Sequence, residues 1–235
     1  MTTKTTGNTE VQLPDQLSPM EDPLWLLPKI LTKLYSIWVS LIYPFASIGR
    51  NLSIHHTCDL PRLKAHRIKL GNSVRIMKDV CLDILAPPEQ NGEPIVAIDD
   101  NVGIGPCCHI SAKNHIHLER DIIIAQSSII SDHIHTPGDS TPPNRELGGS
   151  EGGRIRIGQG SWIGSGVAIV CTRGELVLGR NCVVAANALV TRSFPPYSVI
   201  IGNPGRVIRR FDPAKNAWVI GSPRSTQVTD ASAQS

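Results

Sequence analysis

The chain has 235 residues, 23 Lys and Arg against 20 Asp and Glu, and a formal net charge of +3. This near-balance gives no electrostatic reason to expect nucleic acid as a partner, and the length suits one medium domain with appendages and a sizeable core. The six cysteines show no CxxC spacing; they read as small wall-filling residues, vicinal Cys107-Cys108 included, and favour a reducing compartment.

Residues 1–22 are polar and Thr-rich, without aliphatic periodicity, and read as a disordered tail rather than a signal peptide. Residues 23–50 differ. Leu27, Leu31, Leu34, Trp38, Leu41 and Phe45 recur at helical spacing, which predicts an N-terminal amphipathic helix beginning near Pro23 and disturbed near Pro44. Its uncharged run Leu34–Ile48 would measure about 22 Å as a helix, too short for a membrane core of roughly 30 Å. Two readings stay open: a cap on the following domain or contact with a neighbouring subunit, and an interfacial anchor in peripheral contact with a membrane.

Between Arg50 and Lys69 the pattern is weak. Beyond it an aliphatic returns every six positions: Leu70, Ile76, Leu82, then Ile98, Ile104, Ile110, and on through Leu118, Ile157 and Leu178 to Val190. A period of six is neither 3.6 nor 2, and it is the signature of a parallel β-helix. Grouped in threes, these residues make about five three-sided coils. Every irregular gap falls between triplets, so every insertion should leave the prism at one corner. The small residue after many aliphatics, as in Ile104-Gly105 and Ile163-Gly164, suits a tight corner. The domain is expected over 51–212, with 213–235 as a C-terminal tail.

Histidines are dense in the middle of the chain: His109, His115, His117, His133 and His135. Three could ligate zinc, as in the gamma-class carbonic anhydrases, and His115 and His117 share a strand face. His133 differs in position. It opens the longest insertion, a Gly- and Pro-rich lid loop over 131–154, on the edge of a rigid scaffold. Candidate partners to orient its imidazole are Asp132, Asp139, Glu146, Glu151 or a backbone carbonyl.

The run from Arg156 to Arg209, with IGQGSWIGSGVAIV and AANALVTRSFPPYSVIIGNPGRVIR, resembles the hexapeptide-repeat sugar O-acetyltransferases. Galactoside, maltose and colanic acid biosynthesis acetyltransferases are members of that family. The resemblance covers about residues 65–210. It implies a left-handed parallel β-helix, a homotrimer, acetyl-CoA as co-substrate in clefts between subunits, no required metal, and a sugar or glycan acceptor. By position it implies His133 as catalytic base, with His135 in reserve. Asn114 and Trp162 fall at the substrate. Ser165, Ala186, Thr191, Arg192, Arg206 and Arg209 fall along CoA. The chain lacks the His-Pro that follows the catalytic strand in the maltose type. The expected activity is therefore transfer of acetyl from acetyl-CoA to a sugar hydroxyl in polysaccharide or glycoconjugate assembly, by a cytoplasmic protein. The rivals are a zinc-dependent lyase and a non-catalytic trimeric scaffold.

Overall fold

The fold is described from a computed structural model, which defines residues 26–85, 94–135 and 148–220. The expected N-terminal tail, the start of the helix at Pro23, most of the 86–94 loop, the middle of the long insertion and the segment 222–235 lie outside these residues.

Helix α1 (Leu26–Ile42) precedes a prism opened by β1 (Ser47–Ile48) and β2 (Ser53–Ile54). The first complete coil is β3 (Ile68–Leu70), β4 (Arg75–Ile76) and β5 (Cys81–Ile84), and the second is β6 (Val96–Ile98), β7 (Gly103–Ile104) and β8 (His109–Ala112). The third is β9 (His115–Leu118), β10 (Ile123–Ile124) and β11 (Ile129–Ser131), and the fourth is β12 (Arg154–Ile157), β13 (Trp162–Ile163) and β14 (Ala168–Val170). The fifth is β15 (Glu175–Leu178), β16 (Val183–Val184) and β17 (Leu189–Val190). The chain closes with β18 (Ser198–Ile201) and the antiparallel pair β19 (Arg206–Asp212) and β20 (Ala217–Ile220).

Three parallel walls result. Wall A is β1-β3-β6-β9-β12-β15, wall B runs from β2 through β4, β7, β10, β13 and β16 to β18, and wall C is β5-β8-β11-β14-β17. This is a left-handed parallel β-helix with an N-terminal helix, an exception to the right-handed crossover rule. The period-six aliphatics stand in register up each wall, as in Leu70–Ile98–Leu118–Ile157–Leu178 of wall A. All fifteen are no more than 2% exposed, and each contributes about 1.5–3 kcal/mol by leaving water. The insertions after β5, β8, β11 and β14 all leave at the corner between walls C and A, as expected. A further partial coil precedes the five: Ile48, Ile54 and Leu60 keep the period of six through the stretch that looked weak, and Ile54 is fully buried.

The corners work differently from the expectation. The left-handed residue is the third after each aliphatic of walls A and B, as at Ser73, Asn101, Asp121, Asn181 and Asn187, with φ between 54° and 62°. Asn and Asp tolerate that conformation. The glycine directly after an aliphatic answers to packing instead. A Cβ on Gly158 would lie 2.5 Å from Arg180 N, and one on Gly164 would lie 2.7 Å from Ala186 N, both in the next coil. Cys107 sits at a left-handed corner while Cys108 is buried, so the vicinal pair points to different environments.

Helix α1 caps the open end of the prism, but not with its leucine stripe. Val39 is fully buried, and Ser36 Oγ accepts the Ile54 N–H (2.8 Å) while donating to Thr32 O (2.6 Å). Leu27, Leu31, Leu34, Trp38 and Leu41 face outward, Leu41 with 78% exposure. Among the described residues, no helix is long and apolar enough to cross a membrane. Part of the segment expected as a tail from 213 onward forms β20, where Trp218 lies under the Arg209 guanidinium, 4.7 Å from ring centroid to Cζ.

Candidate active site

The two extra residues between β8 and β9 and the long insertion after β11 meet at one corner. Asp132, the first residue beyond β11, turns inward and is fully buried. Its Oδ1 accepts the Lys113 N–H (2.7 Å), and its Oδ2 accepts the N–H groups of Asn114 (2.7 Å) and His115 (2.9 Å). Three consecutive amides of the bulged chain thus converge on one carboxylate, an arrangement that holds an anion away from water. The same Oδ1 lies 3.0 Å from His133 Nδ1.

This contact fixes the imidazole. A carboxylate already filled by amide donors acts only as acceptor, so Nδ1 holds the hydrogen and Nε2 keeps its lone pair. The ring is 13% exposed at its side chain, enough to meet a substrate at the rim. Ser131 Oγ donates to His133 O (2.7 Å), holding the backbone behind it. The two ends of the insertion then pair with each other. Ser150 N donates to Ile134 O (2.7 Å), Gly153 N donates to Asp132 O (2.6 Å), and His135 bridges Gly149. Lys113 Nζ reaches Ser150 O (2.5 Å), and Asn114 Nδ2 reaches Glu151 O (3.0 Å). Gly152, at φ +84°, takes a conformation that side chains rarely adopt, and a Cβ there would crowd Asn114 Nδ2 at 2.7 Å.

Of the candidate orienting partners, Asp132 is therefore the one in contact; Glu151 is exposed, and Asp139 and Glu146 lie outside the described residues. Asn114 falls within the cradle, its N–H on Asp132 and its side chain on the insertion. His135 is exposed and pairs with Gly149 in an isolated β-bridge. His117 Nε2 pairs with Asp99 (2.9 Å) and His115 Nδ1 with Pro94 O (3.0 Å). Among the described residues, no three His, Cys, Asp or Glu side chains gather as a metal site.

The remaining residues lie elsewhere on the prism. Trp162, 53% exposed, projects from wall B. Ser165 and Ala186 occupy equivalent positions at the corner between walls B and C, one coil apart. Gly164 N and Gly166 N donate to neighbouring coils, as do Ala185 N and Asn187 N. Among the described residues, the Ser165 and Ala186 amides between them take no part in this ladder. Thr191 and Arg192 follow β17 at the corner between C and A, with Arg192 over the Phe194 ring at 5.3 Å. Arg206 and Arg209 sit on β19, beyond wall B. One chain therefore does not bring His133, Trp162 and Ser165 to a common edge.

A left-handed hexapeptide prism with a buried carboxylate–imidazole pair at its insertion edge defines a class of scaffold, and comparison with known proteins gives its relatives. No protein-family model matches the chain. It is 28% identical over 135 residues to a protein of Escherichia coli K12 named as a lipopolysaccharide biosynthesis O-acetyl transferase, WbbJ, covering 54% of this chain and 66% of that one. It is 28% identical over 165 residues to a protein of Mycobacterium tuberculosis named as an acetyltransferase, Rv3034c, covering 69% of this chain and 49% of that one. The chain thus spans less than two thirds of the length of these curated relatives. Among solved structures, AntD, an N-acyltransferase from Bacillus cereus in complex with dTDP and 3-hydroxybutyryl-CoA, superposes with a TM-score of 0.59 at 20% identity, covering 76% of this chain and 86% of that one. The resemblance to hexapeptide-repeat acetyltransferases read from the sequence is borne out by these names and by the shared fold.

Proposed function

We propose that the protein is a CoA-dependent O-acyltransferase that moves acetyl from acetyl-CoA to a sugar hydroxyl, with His133 as general base. The observation that carries this reading is the 3.0 Å contact of His133 Nδ1 with buried Asp132, which leaves Nε2 as the proton acceptor. A sugar hydroxyl is a weak nucleophile near neutral pH. Nε2 takes its proton as the oxygen attacks the thioester carbonyl, and Asp132 stabilises the resulting imidazolium. Acetyl-CoA supplies the activated acyl group. The amides of Ser165 and Ala186, outside the ladder and one coil or about 4.8 Å apart, suit an oxyanion and the amide-bearing arm of CoA. Trp162 belongs beside the acyl-transfer centre. Thr191, Arg192, Arg206 and Arg209 belong at the adenine and phosphate end. Asn114 in the cradle supports acceptor placement, and His135 is the reserve base.

The reading includes a homotrimer. His133 and the Ser165–Ala186 amides occupy different edges of one prism, and a three-fold ring presses one edge of each subunit against the other edge of its neighbour. Six free thiols support a reducing, cytoplasmic location. The outward apolar face of α1 supports peripheral contact with the inner face of a membrane. The zinc-lyase rival is weakened by histidines individually engaged with Asp99, Pro94 O and Asp132.

The test is acetyl transfer by purified variants. His133→Ala should lower kcat by roughly 10²–10⁴-fold, the usual contribution of a general base, and Ala186→Trp should block the CoA arm. Subunits of the two variants, unfolded and reassembled together, should regain activity in roughly a quarter of the interfaces, the statistical share in a ring. Full activity of His133→Ala, or no recovery on mixing, would sink the base or the shared site respectively.

A further inference from the structure

A groove of about 1030 Å³ runs along wall B and its corner with wall C, between helix α1 and Ser165. At one end Lys29 and Lys33 of the helix face Arg75 and Lys78 of the first complete coil. Among the described residues that line it, Lys33, Arg75 and Lys78 supply positive charge and none is a carboxylate, Asp79 lying just beyond beside His55. The cations come from the helix and from the first complete coil. This segregation focuses positive potential into a concave, low-dielectric wall, the setting in which a phosphate is held. His55 also lines this end. Burial and neighbouring His56 push its imidazole below the ordinary range, with Lys78 acting in the same direction and Asp79 opposing.

The floor is shaped as well. Arg75, Gly103, Ile123 and Trp162 form one outward column in register across wall B. Neither packing nor conformation demands the glycine at 103: a Cβ there would meet nothing within 4 Å, and its φ is not positive. The absent side chain leaves the groove open between the cations and the exposed Ile123, with Trp162 next in the column beyond the lining.

We propose that this groove holds the acceptor by a phosphate or diphosphate at the reducing end of its glycan. Lys33, Arg75 and Lys78 meet the phosphate, and the reacting hydroxyl lies toward Ser165. This rests on the acyltransferase reading. Lys78 and Ser165 occupy equivalent corner positions three coils apart, roughly 14 Å at about 4.8 Å per coil. The lysine arm, a diphosphate and a short glycan together fill that span, so a disaccharide diphosphate is a probe of suitable length. A lipid carrier and a nucleotide present the same phosphate chemistry at this rim.

The test is calorimetry on the full-length chain without acetyl-CoA, using chitobiosyl farnesyl diphosphate, chitobiosyl uridine diphosphate and free chitobiose. Both diphosphate-linked forms should bind at least tenfold tighter than the free disaccharide, and the tighter of the two identifies the carrier. The double variant Arg75→Gln/Lys78→Gln should bring the ratio close to one. Equal or undetectable binding of all three probes, or an advantage that survives the double substitution, overturns the proposal. CoA binding measured in parallel separates the two ideas. A chain that binds CoA but shows no preference for phosphate refutes this inference alone, whereas a chain that binds no CoA refutes the acyltransferase reading.

Discussion

Asp132 and His133 are adjacent in sequence, yet their relation depends on residues 17 to 19 positions earlier. The amides of Lys113, Asn114 and His115 converge on the carboxylate only because two extra residues interrupt the ladder between β8 and β9. From sequence that interruption looks like a slip at the common corner, and Asp132 is one of several candidate partners. Backbone amides leave no residue-type signature, which is why the cradle was not legible. Asp132→Asn places an amide group against donors that need an acceptor. It should lower stability by about 1–3 kcal/mol and kcat by roughly 10²–10⁴-fold as the imidazole tautomer is released. Thermal melts and single-turnover acetyl transfer check the two effects. Unchanged kcat would show that Asp132 does not orient the base.

At the scale of elements, the prism was legible because one-sided burial imposes a period. The five coils follow from aliphatics that all point inward. The partial coil at Ile48, Ile54 and Leu60 keeps the same spacing, but His55-His56, Thr57 and Asp59 hide it among polar residues at the capped end. The helix is a different case. Its leucine stripe left a cap and a membrane contact both open, and in the fold Ser36 and Val39 meet the prism while the stripe faces out; periodicity reveals that a helix is amphipathic, not which side it uses. The glycines divide by what surrounds them. Gly158→Ala forces a Cβ to 2.5 Å from Arg180 N and should destabilise by about 1–3 kcal/mol. Gly103→Ala, with open space around it, should be neutral or stabilise by up to ~1 kcal/mol. Urea unfolding of both variants measures the contrast. Equal losses would contradict the account of coil packing.

For the whole molecule, the parts assigned to one reaction are spread over separate edges, so a single sequence gives the parts list but not their meeting point. The capped end is also asymmetric. Leu34 and Leu41, 59% and 78% exposed, look away from the prism, with Lys29 and Lys33 on the flank toward the groove. Vesicles of mixed neutral and anionic phospholipid should carry the full-length protein on flotation. Leu34→Glu/Leu41→Glu should leave it in solution without altering the melting temperature, because neither side chain is packed. Retained flotation of that variant would remove the helix as the contact.

Because each added stretch of chain departs from one edge only, the other two bends of every coil are pinned above and below by neighbours and admit no extra length. Diversification in such an architecture is therefore confined to a single line along the molecule, and that line carries the imidazole. On the proposed reading, a graft that exchanges only the part of the long insertion beyond His133 and before Arg154 should change which acceptor is taken while the spiral beneath keeps its register.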